Sequence, residues 1–280
     1  MIIWIASYPK SGNTWVRSFL SAYFFCENGI FDISKLSLIE DYPNKQFFKE
    51  KVKQGEIHKH WETSQKNICD QKKVKFLKTH NSLITAFGND FTKPKYSLGV
   101  IYIIRDPRNV ITSVKNHNDL NSYDEALRFM QDENKVLDDY PHLKNYAKTN
   151  IINSWRINYK SWLSNKSFRR LIIKYEDMVK NPTQTFERLV VFVNTIMRFD
   201  NKIDQNKLKN AIDTTNFKSL QNIENSGKFG ENVYSLKDNR KIKFFYQGPE
   251  NNWKKNLDES MIKKMNEYYK NDLKFLEYEK

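Results

Sequence analysis

A short polar segment near the start of the chain carries the residue types that bind phosphate or sulfate groups. Its residues are Lys10, Ser11, Gly12, Asn13, Thr14 and Trp15. The segment joins an apolar run at 2–6 to a stretch of helical periodicity, so backbone N–H groups and a helix N-terminus would face one anion. Gly12 permits close backbone approach, and Lys10 and Thr14 add a cation and a hydroxyl group. This pattern predicts an anion-binding loop.

Trp15 has two interpretations. It occupies an apolar position of the predicted helix 14–25, which is typical of a core residue. It also comes directly after the anion-binding loop, where its ring would be placed to stack on a purine. The pattern alone leaves both interpretations open.

A second group that could do chemistry is Lys78-Thr79-His80, which follows an apolar run at 74–77. A neutral imidazole beside a cation suits a general base near neutral pH, because the neighbouring charge disfavours protonation of the ring. Single histidines are commonly structural, so the functional interpretation depends on the position of His80 at a strand end.

Arg105 ends a third apolar run, and Ser113 follows it by eight residues, near the start of a predicted helix. An arginine fork with a hydroxyl group suits a second phosphate. Two anion sites at one crevice would fit a ligand with two anionic ends. The alternative is a structural ion pair of Arg105 with Asp106 or Asp177.

These groups share one feature, because each follows a predicted β-strand. The strands are predicted at 2–6, 74–77, 99–104 and 171–174, where apolar runs are typical of strands buried on both faces. The last of them leads into Tyr175-Glu176-Asp177-Met178. Ligands of open α/β sheets bind outside the carboxyl ends of the strands, so the four segments are expected to form one site.

Amphipathic helices are predicted between and after these strands. They lie at 14–25, 124–137, 151–163, 182–193 and 258–269. Asn181 is expected to be the N-cap of one of them, with Pro182 at its first position. The alternation predicts an α/β fold with a mostly parallel central sheet.

The composition excludes several classes of protein. Apolar residues make up 39% of the 280 residues and charged residues 29%, which excludes a disordered tail protein and a collagen-like chain. Only Cys26 and Cys69 are present, which excludes a disulfide framework and favours a reducing compartment. No apolar run approaches the ~18 residues of a membrane span. We therefore expect a cytoplasmic protein without a membrane span.

The formal net charge of +14 favours anionic partners such as nucleotides, nucleic acid or sulfated and phosphorylated molecules. Basic residues are dispersed along the chain, which weakens a nucleic-acid or polyanion binder as an alternative function. A Mg²⁺-dependent nucleotide kinase is the other alternative. The missing Walker A spacing argues against it, and no metal site is predicted.

Together these segments resemble the motifs of the cytosolic-type sulfotransferases, which use 3′-phosphoadenosine 5′-phosphosulfate (PAPS) and release 3′,5′-ADP (PAP). The loop 8–15 resembles their phosphosulfate loop, and Lys78-Thr79-His80 is similar to their catalytic motif. The remaining resemblances are carried by Arg105 with Ser113, Tyr175-Glu176-Asp177-Met178, Thr215-Asn216-Phe217, and Gly248 with Trp253. The resemblance covers nearly the whole chain, so we predict one sulfotransferase domain at 1–280.

The resemblance implies a P-loop-like, three-layer α/β fold and a role for each matching residue. His80 would be the general base, with Lys10 and Lys78 beside the sulfuryl group. The PAPS-binding residues would be Lys10, Ser11, Gly12, Asn13, Thr14, Trp15, Arg105, Ser113, Tyr175, Thr215, Phe217, Gln247 and Gly248. A sulfuryl group carries less charge than a phosphoryl group, so protein cations suffice without a metal.

Two departures from the family pattern stand out. Tyr246-Gln247 replaces the usual Arg-Lys before Gly248, which predicts weaker donor binding unless Arg240, Lys241 or Lys243 compensates. The segment 254–259 does not carry the family's dimer motif intact, which leaves the oligomeric state open. The acceptor is expected to be a small molecule or a glycan with a hydroxyl or amine group. Its walls are expected in 26–73 and 116–150.

Overall fold

The computed structural model of the protein describes residues 1–138, 146–235 and 237–279. Its strands are β1 (Ile2–Ser7), β2 (Glu40–Asp41), β3 (Lys75–Thr79), β4 (Thr85–Ala86), β5 (Asn89–Asp90), β6 (Ser97–Ile104), β7 (Val136–Leu137), β8 (Asn150–Ile151), β9 (Arg170–Lys174), β10 (Val233–Tyr234) and β11 (Lys241–Ile242). Five of these strands form a parallel central sheet in the order β2-β3-β1-β6-β9. Three two-stranded antiparallel pairs, β4–β5, β7–β8 and β10–β11, lie outside it.

The α-helices of the described residues are α1 (Asn13–Phe25), α2 (Trp61–Asp70), α3 (Pro107–His117), α4 (Tyr123–Gln131), α5 (Trp155–Ser164), α6 (Tyr175–Lys180), α7 (Pro182–Met197), α8 (Gln205–Thr215), α9 (Phe217–Asn225), α10 (Trp253–Asn256) and α11 (Glu259–Phe275). Short 3₁₀ helices occur at Ile33–Leu38, Lys45–Phe47, Ile57–His60, Tyr146–Lys148 and Gly248–Glu250.

Strand β1 shows why the sheet lies in the middle of the molecule. All six of its residues are buried, so both of its faces must be covered. Ile3 and Ile5 pack into the core that α1 and α7 complete, while Trp4 and Ala6 pack into the core formed with α5 and α11. Helices therefore cover both faces of the sheet. The predicted three-layer α/β fold with a parallel sheet is confirmed.

Local sequence sets the start of several helices. Asp106, Ser122, Ser154 and Asp258 each accept a hydrogen bond from a backbone N–H in the first turn of the helix that follows. Asn181 precedes α7 as predicted, with Pro182 at the first position, but its side chain makes no capping hydrogen bond.

Two predicted helices are too long. The helix predicted at 124–137 ends at Gln131, because a turn follows and Val136–Leu137 pairs as a strand with Asn150–Ile151. The helix predicted at 151–163 starts only at Trp155 for the same reason. Conversely, α7 and α11 extend past the predicted ends at 193 and 269, and α8 is absent from the sequence prediction.

The weakly patterned segments contain short elements. Segment 26–73 holds three 3₁₀ helices, β2 and α2, and segment 216–250 holds α9 and the pair β10–β11. Residue 236 of the latter, and residues 139–145 of the predicted acceptor wall 116–150, lie outside the described residues.

Candidate active site

The predicted anion-binding loop connects β1 to α1 at the carboxyl edge of the sheet. Lys10 and Gly12 have positive φ angles of 68° and 102°, and Gly12 directly precedes the first residue of α1. A Cβ atom at Gly12 would lie 2.7 Å from Cδ2 of Tyr175, so a larger residue would collide with that ring. Glycine is therefore required both by the backbone conformation and by the packing of the loop on α6.

Buried polar atoms of this loop lack partners within the described part of the chain. Ser11 Oγ, Trp15 Nε1 and Arg105 Nε are all buried and make no hydrogen bond. Such atoms destabilise a protein unless a ligand or water satisfies them, by about 1–3 kcal/mol each. A hydroxyl and a guanidinium Nε that both lack a partner, beside a helix N-terminus, fit an anionic ligand.

Asn13 and Trp15 hold the start of α1 in place. The Asn13 amide donates to the Ile5 carbonyl (3.1 Å) and to Ser7 Oγ (3.1 Å), which ties the loop to β1. Trp15 is 8% exposed and packs edge-on against Tyr175. Trp15 is therefore surrounded as a core residue is. Its indole N–H has no hydrogen-bond partner among the described residues.

Arg105 lies at the end of β6 and is held by backbone atoms. Its guanidinium donates to the carbonyls of Lys10 (3.3 Å) and Gly248 (3.1 Å) and lies 3.9 Å from the centre of the Tyr175 ring. Asp106 instead pairs with Arg108 at 2.8 Å. Among the described residues, no carboxylate forms an ion pair with Arg105, so the structural pair with Asp106 or Asp177 is not present.

Gly248 closes this side of the site. It has a positive φ of 52°, and a Cβ there would lie 2.2 Å from the ring of Phe217. Gln247, its neighbour, exchanges hydrogen bonds with Asn256 (2.9 and 3.5 Å). Phe217 and Gly248 are thus in contact across two distant segments of the chain.

Three other predicted donor residues have different surroundings. Thr14 is buried near the start of α1, while the hydroxyl of Thr215 donates to the Ala211 carbonyl (2.6 Å). Ser113 is half-buried in the second half of α3, which starts earlier than predicted, at Pro107. Arg240, one of the proposed compensating cations, is paired with Asp119 at 2.9 Å.

His80 follows β3 and faces the loop after β1. Its Nδ1 lies 2.8 Å from the Ser7 carbonyl oxygen, which can only accept a hydrogen bond. Nδ1 therefore carries the proton, and Nε2 keeps the lone pair that a general base needs. Its backbone N–H donates to Asn150 Oδ1 (3.2 Å), which fixes the strand end.

The electrostatic surroundings keep His80 neutral. Burial, followed by the charge of Lys78, lowers the pKa of His80 to about 3. The hydrogen bond to Ser7 and the Asp41 carboxylate oppose this shift without cancelling it. Lys78 itself lies 3.3 Å from Asp41 Oδ1. At neutral pH the imidazole is therefore unprotonated.

Lys10 extends toward His117, a residue that the sequence prediction did not include. Its ammonium donates to His117 Nδ1 (3.2 Å) and lies 3.9 Å from the centre of the Phe244 ring. Burial lowers the pKa of Lys10 to about 7, with Glu231 opposing and Arg105 adding to the effect. His117 stands one helical turn after Ser113, so the i, i+4 spacing on α3 was an available signal.

A cavity of about 60 Å³ opens beside His80. Its walls are Asp41, Tyr42, Pro43, Lys78, His80, Leu137, Lys148 and Asn150. Most of these residues belong to the segments expected to form the acceptor walls. Asp41, which sequence reasoning also missed, stands on a two-residue strand without a pattern that would reveal it.

The described residues contain no cluster of three or more His, Cys, Asp or Glu side chains that could hold a metal ion. In the same residues no helix is both long and apolar enough to cross a membrane. Cys26 and Cys69 are free thiols.

A family model described as the sulfotransferase domain matches residues 2–277. The chain belongs to the sulfotransferase family. It is 23% identical to the luciferin sulfotransferase of Photinus pyralis over 96% of this chain and 70% of that protein. It is 25% identical to the flavonol 3-sulfotransferase of Flaveria bidentis over 94% and 78% of the two chains.

The fold of this sulfotransferase is also found in solved structures. The crystal structure of mouse sulfotransferase SULT7A1 complexed with PAP superposes with a TM-score of 0.59 at 17% identity, over 98% of this chain and 84% of that chain. The predicted family and enzyme class, a PAPS-dependent sulfotransferase, are confirmed.

Proposed function

We propose that residues 1–280 form one domain that transfers a sulfuryl group from PAPS to a hydroxyl or amine of a small-molecule acceptor, with His80 as the general base. One observation carries this proposal. The end of β3 brings the unprotonated Nε2 of His80 to the same edge of the sheet as the Lys10 loop, in which the buried Ser11 Oγ has no hydrogen-bond partner among the described residues. A proton acceptor and an anion site thus share one crevice.

The residues of the loop and of β6 suit the two anionic ends of PAPS. The N–H groups of 11–14, at the start of α1, would bind the 5′-phosphate together with the hydroxyls of Ser11 and Thr14. Arg105 and Ser113 would bind the 3′-phosphate, with Tyr175 packed beneath the guanidinium. Trp15, Thr215 and Phe217 would surround the adenine, and Gln247 and Gly248 would border it.

The chemistry needs positioning and charge stabilisation more than covalent help. When bound, the donor would supply an activated sulfuryl group, whose S–O bond to the phosphate would be exchanged for a bond to the acceptor oxygen or nitrogen, with PAP as the leaving group. His80 Nε2 accepts the proton of the acceptor hydroxyl as that bond forms. Lys10 and Lys78 place positive charge beside the sulfuryl oxygens. A resident metal ion is not needed for these steps.

Calorimetric titration with PAP, 5′-ADP and 5′-AMP in the absence of metal tests the donor site. We expect PAP to bind selectively, because it alone presents phosphates to both the loop and Arg105. A preference for 5′-ADP or ATP with Mg²⁺ would instead support a phosphotransferase. Absence of binding by all three nucleotides would contradict the proposed donor.

A further inference from the structure

The wall of the cavity beside His80 combines apolar surface, to which Tyr42, Pro43 and Leu137 contribute, with polar groups. Five of the eight residues that line it, Asp41, Lys78, His80, Lys148 and Asn150, have charged or polar side chains. Tyr42 adds a ring, but its hydroxyl is buried and bonded to Ser64 Oγ at 2.7 Å. An acceptor in this cavity would therefore have one side against apolar groups and another against charged or polar side chains.

Asp41 is held in a fixed position on this wall. Its Oδ1 lies 3.3 Å from Lys78 Nζ and 4.0 Å from Arg17 Nη1. Arg17 is 4% exposed and is itself fixed by Glu231 at 2.6 Å and by the Ile39 carbonyl at 3.1 Å. The carboxylate cannot swing away from the cavity without losing both cations.

Asp41 is also ionised at neutral pH. Burial alone would raise its pKa, but the charges of Lys78 and Arg17 outweigh burial and lower the pKa to about 2. Its Oδ1, which faces the two cations, is buried, but the side chain as a whole is 33% exposed and lines the cavity. An acceptor that covers this carboxylate without donating a hydrogen bond must strip its water without compensation, which is unfavourable.

The polar group of Asn150, by contrast, is already engaged. Its Oδ1 accepts hydrogen bonds from the His80 backbone N–H (3.2 Å) and from Asn81 Nδ2 (3.2 Å). Its Nδ2 donates to the Lys148 carbonyl at 2.9 Å. Asn150 therefore shapes the cavity, whereas Asp41 offers a charged acceptor of hydrogen bonds to a molecule that enters it.

We propose that the acceptor carries a second hydrogen-bond donor, an O–H or N–H group next to the hydroxyl that is sulfated, and that Asp41 binds this second group. The inference rests on the proposed function, because it places the first hydroxyl at His80 Nε2. The substrate class is then a vicinal diol or amino alcohol. Asp41 is a specificity-determining residue, and it takes no part in proton transfer.

Three ligands test this inference without any substitution: phenol, catechol, and catechol with one methylated oxygen (guaiacol). We expect catechol to bind the enzyme saturated with PAP about tenfold or more tightly than phenol or guaiacol, since a hydrogen bond to a charged group has that magnitude. Guaiacol keeps the ring and the second oxygen but lacks the second donor. Equal binding of catechol and guaiacol, or no binding of catechol, would overturn the inference.

Asp41→Asn should then reduce the preference for catechol to within about threefold of phenol, because a neutral amide accepts more weakly than a carboxylate. Glu40→Gln is the matched control, since Glu40 neighbours Asp41 on β2 but pairs with Lys75 at 3.1 Å. Its preference for catechol should equal that of the wild type. An unchanged preference in Asp41→Asn would overturn the assignment of Asp41.

Titration with PAP alone separates this inference from the proposed function. Asp41→Asn should bind PAP as tightly as the wild type does, because Asp41 lies on the cavity wall and outside the donor loop. If the wild type fails to bind PAP, the proposed donor site is wrong. If PAP binds but phenol, catechol and guaiacol bind with equal affinity, the proposed donor site is supported and the acceptor inference is wrong.

Discussion

The donor side and the acceptor side of the crevice are built from different parts of the chain. The donor side, comprising the loop 10–14, Arg105 and Gly248, depends on backbone geometry: positive φ angles, a helix N-terminus, and an arginine held by two carbonyls. The acceptor side, comprising Asp41, His80 and Asn150, depends on side chains from separate short elements. Substitutions on the two sides should therefore have separable effects on nucleotide binding and on turnover.

His80→Ala should give the largest separation. The substitution removes the proton acceptor at Nε2 and leaves the donor side intact, so turnover should fall by about 10²–10⁴-fold. Affinity for PAP should stay within about twofold of the wild type. Steady-state rates with an acceptor, alongside calorimetry with PAP, measure both quantities.

His60→Ala provides the control for His80→Ala. His60 lies against Phe48, outside the wall of the cavity, with a ring-centre distance of 5.6 Å. Its loss should leave turnover nearly unchanged. Normal turnover in His80→Ala would remove His80 as the general base.

Arg105→Ala should lower nucleotide affinity, the quantity that His80→Ala leaves nearly unchanged. Loss of a charged contact to the 3′-phosphate costs about 1.5–3 kcal/mol, which lowers PAP affinity by about 10- to 150-fold. Binding of 5′-AMP, which lacks the 3′-phosphate, should change far less. Parallel titrations of the variant and the wild type with both nucleotides give the difference, and equal losses for the two nucleotides would contradict the assignment.

The two sides of the crevice also differ in how much of each can be predicted from the sequence alone. Four of the five strands of the sheet, and the loop 10–14, are local patterns in which neighbouring residues determine both structure and chemistry, so the sequence predicts them directly. Asp41 carries no such pattern, and the only local signal for His117 is its i, i+4 spacing from Ser113 on α3. Asp41 reaches His80 only because β2 pairs with β3, and that pairing depends on long-range packing.

Helix ends show a similar limit. The polar residues Asp132, Glu133 and Asn134 do not by themselves predict the turn at 132–135. The helix ends there because Val136–Leu137 pairs with Asn150–Ile151, and the local sequence does not show that pairing. The contact of Phe217 with Gly248 is also long-range. Phe217 and Gly248 are predicted as site residues from the resemblance to a family, because periodicity does not identify them.

Gly248→Ala tests that long-range contact on the donor side. The backbone there is left-handed, which costs a non-glycine residue about 1–2 kcal/mol, and the new Cβ would displace the Phe217 ring. We expect lower stability in denaturant unfolding. Affinity for PAP should fall by about tenfold, because the carbonyl that holds Arg105 shifts with the backbone.

Two other glycines separate the causes of this loss. Gly227 also has a positive φ of 77°, but a Cβ at this position would meet no described residue within 4 Å beyond its chain neighbours, so the loss of stability in Gly227→Ala measures the backbone cost alone. Gly230 has neither feature, and Gly230→Ala should be neutral. If Gly248→Ala loses no more PAP affinity than Gly227→Ala, the contact with Phe217 does not support the donor side.

The smallest expected effect is a pH dependence that belongs to the donor side. Burial lowers the pKa of Lys10 to about 7 in the absence of a ligand, and an adjacent anion would raise it again. Above pH ~7, PAP binding must therefore be accompanied by proton uptake, and affinity should fall about fivefold between pH ~7 and ~8. Below pH ~6 Lys10 is already charged and adds no further pH dependence, whereas protonation of the phosphates of PAP, with a second pKa of about 6, should then weaken binding.

Titrations in buffers of different ionisation enthalpy measure this proton uptake directly. Lys10→Met should bind PAP more weakly and without the pH dependence, because the titrating ammonium is gone. His117→Asn is the informative companion, since it keeps a side chain that can accept a hydrogen bond while removing the second titratable group beside Lys10. If the dependence persists in Lys10→Met and disappears in His117→Asn, the proton is taken up by the histidine. The lysine would then be charged throughout, and the donor side would depend on a residue that only the folded structure brings to it.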